Sequence, residues 1–230
     1  MKLLARLLNG LKKIQKIDIK IMRNTAITKE VQADLTPSNV LDDLLDGNKR
    51  FVKNKMQIVD NTALVLQTVT GQFPKAVVLS CIDSRVPVET VLDQAIGDIF
   101  VARVAGNFEN IDILGSLEYS CKVAGSKLIL VLGHESCGAV KAACDGVKLG
   151  NITDMLANIL PAVKVSADEV EGELSSSNKA FVAKTVENNV KLTIKRIRER
   201  SAILKEMEIN GDIKIVGGVY MLSSGKVEIL

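Results

Sequence analysis

Two short stretches of this chain hold residues whose types and spacing could do chemistry: Cys81-Ile82-Asp83-Ser84-Arg85 and His134-Glu135-Ser136-Cys137-Gly138. Cys81, His134 and Cys137 offer two thiolates and an imidazole. That soft donor set suits Zn²⁺ and leaves a fourth tetrahedral position open, as a catalytic zinc requires. His134 and Cys137 are three residues apart, so a helical first turn would aim both the same way, and a helix N-terminus there favours thiolate over thiol. Asp83 and Arg85 alternate with Cys81, which predicts all three on one side of an extended segment. A carboxylate beside a guanidinium stays ionised and oriented, often as a bidentate pair, and could accept a hydrogen bond from a metal-bound water. Taken singly these residues are ordinary. Cys81 alone reads as a core cysteine, His-x-x-Cys arises by chance, and Asp-x-Arg is usually structural. Their concurrence in a chain with one histidine is what points to a metal. Cys121 and Cys144 fall on expected helices and read as core or surface residues.

The elements that must position these groups alternate. Ala76–Ser80, Asp98–Ala102 and Lys127–Leu132 read as strands. The third is almost wholly apolar, as expected of a strand buried on both faces. Between them, Thr36-Pro37 opens a helix as N-cap and first turn, with Leu41, Leu44, Leu45, Asn48 and Val52 expected inward. Ile113–Ala124 is a helix ending at Gly125, and Gly138–Cys144 is another. Ile152–Val165 reads as helical with an interruption near Pro161, and Glu171–Ser177 as a polar loop. Val182, Val186, Val190, Ile194 and Ile197 mark a long helix. Ile213–Tyr220 and Lys226–Leu230 form a hairpin around Ser223-Ser224-Gly225. The pattern predicts one α/β domain: a mostly parallel central sheet flanked by helices, with a C-terminal β-hairpin and an N-terminal helical arm. In such sheets reactive groups sit beyond the carboxyl ends of the strands, which would bring both motifs to one edge.

Composition narrows the rest. With 230 residues, 47% hydrophobic and 25% charged, the chain is globular rather than disordered. No uncharged apolar run approaches the ~18 residues of a spanning helix. Having no Trp, two Tyr and five Phe, it lacks a stacking platform for single-stranded nucleic acid. The net charge of +3 is concentrated at the N-terminus, where seven basic residues up to Arg23 face only Asp18. The remainder is mildly acidic, so no nucleic-acid partner is expected. Four cysteines are too few for a disulfide scaffold and point to a reducing, cytoplasmic compartment. Leu3, Leu4, Leu7, Leu8, Leu11 and Ile14 form an apolar stripe opposite lysines. Three readings of residues 1–22 stand: an arm that packs on the body or a second subunit, an organellar targeting segment, or a membrane-surface segment.

At the two motifs the sequence resembles the β-class carbonic anhydrases. The resemblance runs from about Thr36 to Leu230, an expected catalytic domain over 36–230 behind an arm over 1–35. It includes Asp46–Phe51, Gly97–Val101, Arg103-Val104-Ala105-Gly106-Asn107, Leu117-Glu118-Tyr119, Ser201–Leu204 and Gly217–Tyr220. It implies zinc-dependent reversible hydration of carbon dioxide to bicarbonate and a proton, by attack of zinc-bound hydroxide. One zinc per chain would be held by Cys81, His134 and Cys137, with Asp83 and Arg85 as the orienting dyad. In some members the aspartate binds the zinc instead. Gln72, Phe100, Ala105, Tyr119 and Gly138 match substrate-pocket positions. A homodimer or homotetramer is implied, with the pocket at the subunit interface, so that Gln72, Phe100 and Tyr119 serve the second subunit's zinc. Arg103 matches the arginine of an inhibitory bicarbonate site found in some members, whose tryptophan has no counterpart here. Hydrolysis of CS2 or COS on the same scaffold, and a closed non-catalytic zinc site, are the rival readings. Asp83 and Arg85 argue against the second.

Overall fold

The structure, a computed structural model, describes residues 22–230. Its centre is one five-stranded sheet of order β2-β1-β3-β4-β5. The strands are β1 (Ala76–Ser80), β2 (Ile99–Arg103), β3 (Leu128–His134), β4 (Lys214–Tyr220) and β5 (Val227–Ile229). The first four pair in parallel and β5 returns antiparallel on β4, the expected hairpin. Every residue of β1 and β3 is buried, because helices cover both faces and alternate side chains serve different layers. Val77, Leu79, Ile129 and Val131 face one cluster. Ala76, Val78, Leu128, Leu130 and Leu132 face the other.

The second layer rests on α2 (Pro37–Val52), capped by the Thr36 hydroxyl as read from Thr-Pro. Its inner face is Val40, Leu44, Gly47 and Asn48 rather than a row ending at Val52, which is exposed at the last turn. The first layer holds α5 (Ile111–Glu118), α9 (Lys179–Arg200) and α10 (Ala202–Ile209). The α5 helix continues into a wider π-helical turn, Tyr119–Val123, before Gly125 turns the chain at positive φ. The α6 helix (Gly138–Cys144) has the expected bounds. The segment read as one interrupted helix is two, α7 (Gly150–Ala157) and α8 (Leu160–Ala167), with Pro161 in the first turn of the second. Strand β2 lies one residue later than expected, and β3 runs two residues further, to His134.

Three short helices carry little pattern of their own and escaped the periodicity: α1 (Lys29–Asp34), α3 (Asn61–Thr68) and α4 (Val88–Val91). So did α10, which only Ser201 announces, as an N-cap. Residues 1–21, and with them the whole apolar stripe, lie outside the described residues. From Arg23 on, the chain lies against the body. The Arg23 guanidinium makes a two-pronged pair with buried Asp98, both contacts 2.6 Å, and Gln32 donates to the carbonyls of Pro74 and Ala124. Among the described residues no helix is long and apolar enough to cross a membrane.

Helix α9 crosses the sheet closely because β3 and β4 present glycines to it. A Cβ at Gly217 would lie 2.6 Å from Val190 Cγ1 and 2.9 Å from Ile194 Cδ1. Gly217→Val is therefore expected to overpack this contact and destabilise the fold by about 1–3 kcal/mol. Urea denaturation checks it: an unchanged midpoint would mean that α9 does not depend on that close approach.

Candidate metal centre

Cys81 follows β1, His134 ends β3, and the parallel register sets Ser80 beside Leu132. The two motifs therefore meet at the carboxyl edge of the sheet. Cys137 is the N-cap of α6. The donor atoms of Cys81, His134 and Cys137 all lie within 4.8 Å of one another, and the two sulfurs are 3.9 Å apart. All three residues are buried. The link between His134 and Cys137 differs from the expected helical first turn. His134 is still strand, and Ser136, at φ +56°, swings the chain from strand to helix. The left-handed turn, not helical periodicity, aims both side chains inward.

The imidazole is held from behind. His134 Nδ1 lies 3.0 Å from the Glu135 carbonyl, so Nδ1 carries the proton and Nε2 presents its lone pair. That Nε2 is buried and has no hydrogen-bond partner. The two sulfurs are in hydrogen-bond contact, which holds Cys81 down to about 4 and pushes Cys137 up. The Gly106 amide donates to Cys81 Sγ at 3.3 Å. A buried lone pair without a donor, beside two buried sulfurs 3.9 Å apart, fits a soft divalent cation.

Asp83 and Arg85 come together as expected, by a different route. Segment 81–86 is a turn and not an extended stretch. The Arg85 amide donates to Asp83 Oδ1 at 2.9 Å and the Val86 amide to the Asp83 carbonyl at 3.0 Å. The guanidinium then closes a bidentate pair, Nε to Oδ1 at 2.9 Å and Nη2 to Oδ2 at 2.8 Å. Arg85 holds the Asp83 carboxyl well below the usual carboxylate range. Asp83 Oδ2 sits 3.8 Å from His134 Nε2. Arg103, which matches the arginine of the second anion site found in some members, braces this turn. It donates to the carbonyls of Cys81 and Asp83 at 2.9 and 2.8 Å. That role was hidden in the sequence, since nothing local marks an arginine on one strand as a clamp on the turn after its neighbour.

The remaining pocket positions divide. Ala105 precedes Gly106, and Gly138 opens α6 directly after Cys137, so both border the trio. Phe100 and Tyr119 instead pair edge-to-face, with ring centroids 6.2 Å apart. They line a cleft of about 670 Å³ along the outer strand β2. Phe100 stands opposite Val77, well back along β1 from Cys81. Gln72 is exposed before the start of β1, at its far end from the trio. One chain does not gather Gln72, Phe100 and Tyr119 with its own cysteines.

Comparison with known proteins sets this geometry in context. The sequence pattern of a family described as carbonic anhydrase matches residues 76–227. Carbonic anhydrase 2 of Mycobacterium tuberculosis is 35% identical over 161 residues, covering 68% of this chain and 74% of that protein. A carbonic anhydrase of Mycolicibacterium smegmatis is 36% identical over 161 residues, 69% of this chain and 75% of its own. Among solved structures, a Coccomyxa β-carbonic anhydrase in complex with acetazolamide superposes with a TM-score of 0.66 at 25% identity, covering 83% and 86% of the two chains. A tetrameric β-carbonic anhydrase from the filamentous ascomycete Sordaria macrospora has the same fold, with a TM-score of 0.67 at 24% identity over 84% and 97%.

If the three donors form one metal centre, titration with Co²⁺ should give a thiolate charge-transfer band that saturates at about one equivalent. Cys137→Ala should abolish the band, because an imidazole and one thiolate are too few ligands to compete with water. A full-strength band in that variant would place the metal elsewhere.

Proposed function

This chain belongs to the carbonic anhydrase family, and on that premise we propose that it catalyses the reversible hydration of carbon dioxide, with one zinc per chain on Cys81, His134 and Cys137. The observation that carries the reading is the unpartnered Nε2 of His134, which lies within 4.8 Å of two sulfurs and 3.8 Å from the Asp83 carboxylate. A structural zinc site closes with four protein donors; this one offers three, with that carboxylate close by. Bound there, zinc would act as a Lewis acid that makes hydroxide available from water near neutral pH.

The chain's own residues do the rest. Asp83, kept ionised and aimed by Arg85, accepts the O–H of the attacking water through Oδ2 and so fixes the direction of its lone pair. Both Asp83 oxygens are occupied by Arg85, which favours the open state over one in which the aspartate takes the fourth position. The Glu135 carbonyl fixes the tautomer of His134. A Cβ at Gly138 would meet nothing within 4 Å, which leaves space beside Cys137 for a small linear substrate. No second histidine exists to carry the proton away, so it leaves through water to external buffer, helped by Tyr119 or an acidic residue at the pocket mouth.

The chain works as a homodimer or a higher homo-oligomer, in which Gln72, Phe100 and Tyr119 of each copy serve the zinc of the other. The division of pocket residues described above supports this, and the tetrameric fungal relative supplies a precedent. Four free cysteines are in keeping with a cytoplasmic setting.

Stopped-flow CO2 hydration on metal-quantified protein tests the reading. Asp83→Asn should keep zinc yet lose roughly 10- to 100-fold in kcat/KM; a zinc-replete variant at wild-type rate would remove Asp83 from the reaction. Wild-type turnover at saturating CO2 should climb with buffer concentration at fixed pH and ionic strength. Fast turnover indifferent to buffer would mean an internal proton carrier. Mixing inactive Cys137→Ala with weakened Gln72→Ala should regain activity through hybrid dimers, each pairing an intact zinc site with an intact Gln72. Strict additivity of the two would place Gln72 outside the shared pocket.

A further inference from the structure

The loop Val104–Asn110 joins β2 to α5 and touches the trio through Gly106, whose amide donates to Cys81 Sγ at 3.3 Å. Gly106 stands at φ +84°, and a Cβ there would meet Ile159 Cδ1 at 2.5 Å. Glycine is thus required, but a glycine backbone has no side chain to hold its direction. The direction comes from α9. Asn189, 2% exposed, donates its Nδ2 to the Gly106 carbonyl at 2.7 Å. Seven and eleven residues further along the same helix face, Arg196 and Arg200 reach Glu109, 1% exposed, at 3.6 and 3.0 Å. A polar row on α9 therefore grips the loop at two points, one of them the residue that bonds a candidate metal ligand.

We propose that Asn189 is a positioning residue for the metal centre: through the Gly106 carbonyl it aims the Gly106 amide at the Cys81 sulfur and holds that sulfur in its ligating place. The proposal rests on the reading of Cys81, His134 and Cys137 as a zinc site. Asn189 touches neither metal nor substrate and acts through one residue. An N–H···S bond draws charge from a thiolate and fixes its rotamer, and groups that orient ligands in this way govern how firmly the metal is held. The buried carbonyl makes the arrangement strict: with Asn189 truncated, the Gly106 oxygen has no donor and the loop loses its guide.

The test uses the full chain loaded with zinc or with ¹¹³Cd. In the wild type, NMR should show the Gly106 amide proton coupled to ¹¹³Cd across the hydrogen bond. Asn189→Leu keeps the bulk and removes the donor; Asn189→Gln keeps the donor and alters the shape. The leucine variant should release zinc to a chromophoric chelator roughly 10- to 100-fold faster than wild type and lose the coupling. The glutamine variant should fall between the two. A purely structural role would lower the stability of the variants without moving the coupling or the release rate of the folded protein, so equal release rates for both variants overturn the proposal. Wild-type release and coupling in Asn189→Leu also overturn it. Should the leucine variant fail to fold, the wild-type spectrum decides alone, and no coupling at Gly106 refutes the role. A wild-type chain that loads neither metal overturns the zinc reading itself, a result distinct from normal loading with an indifferent Asn189.

Discussion

Parallel pairing of β1 with β3, with Ser80 opposite Leu132, is the constraint on which the site depends. Because both strands run the same way and are buried on both faces, their last residues emerge together at one edge, next to the N-terminus of α6. A register slip of one residue would turn Val77, Leu79, Ile129 and Val131 out of their layer. The hydrophobic pattern that holds the sheet therefore also holds Cys81 against His134. Stability and site geometry are fixed by the same contacts, and the trio needs no flexible loop to assemble it.

The electrostatics around the trio are layered. Two facing sulfurs and a buried imidazole nitrogen without a donor are costly in an apolar setting. The protein meets that cost with backbone groups: the Gly106 amide on Cys81 and the Glu135 carbonyl on His134 Nδ1. The negative side is then balanced at the rim by Arg85, and Arg103 ties down the turn that carries Asp83. Arg85 is more than half exposed, so its pair with Asp83 adds little to stability. Its value lies in direction, since a bidentate fork leaves the carboxylate one orientation.

Much of this was legible from residue types. The strands β1 and β3 announced themselves as short apolar runs, and the Thr36-Pro37 start and the α9 stripe follow from capping and 3.6-residue periodicity. The trio and the Asp83–Arg85 pair were readable because cysteine, a lone histidine and polar strand ends are rare together. What escaped had no local signal. The turn that joins Asp83 to Arg85 depends on backbone bonds that an alternation rule cannot anticipate. Ser136 at positive φ replaced an expected helical turn. Arg103, Gly106 and Asn189 act on residues 20 to 83 positions away. The hint for Asn189 was faint, a polar residue beside Val190 on a helix whose buried side also holds Thr185, Asn188 and Thr193.

The division of the pocket residues has a geometric consequence. At ~3.3 Å per extended residue, β1 alone puts about 16 Å between its ends. Gln72 lies before one end and Cys81 just beyond the other, a separation no glutamine side chain spans. If Gln72 contacts substrate at a zinc, that zinc belongs to another copy of the chain. The outer face of β2 agrees with this. It is a sheet edge, and beside it Ile111 and Tyr119 are 73% and 53% exposed. An open strand edge bordered by apolar side chains is the kind of surface that proteins cover. Covering it with a second copy would bring Phe100 and Tyr119 under a new roof and complete two pockets at once. The metal donors then belong to the fold of one chain, while the walls of the pocket belong to the pair.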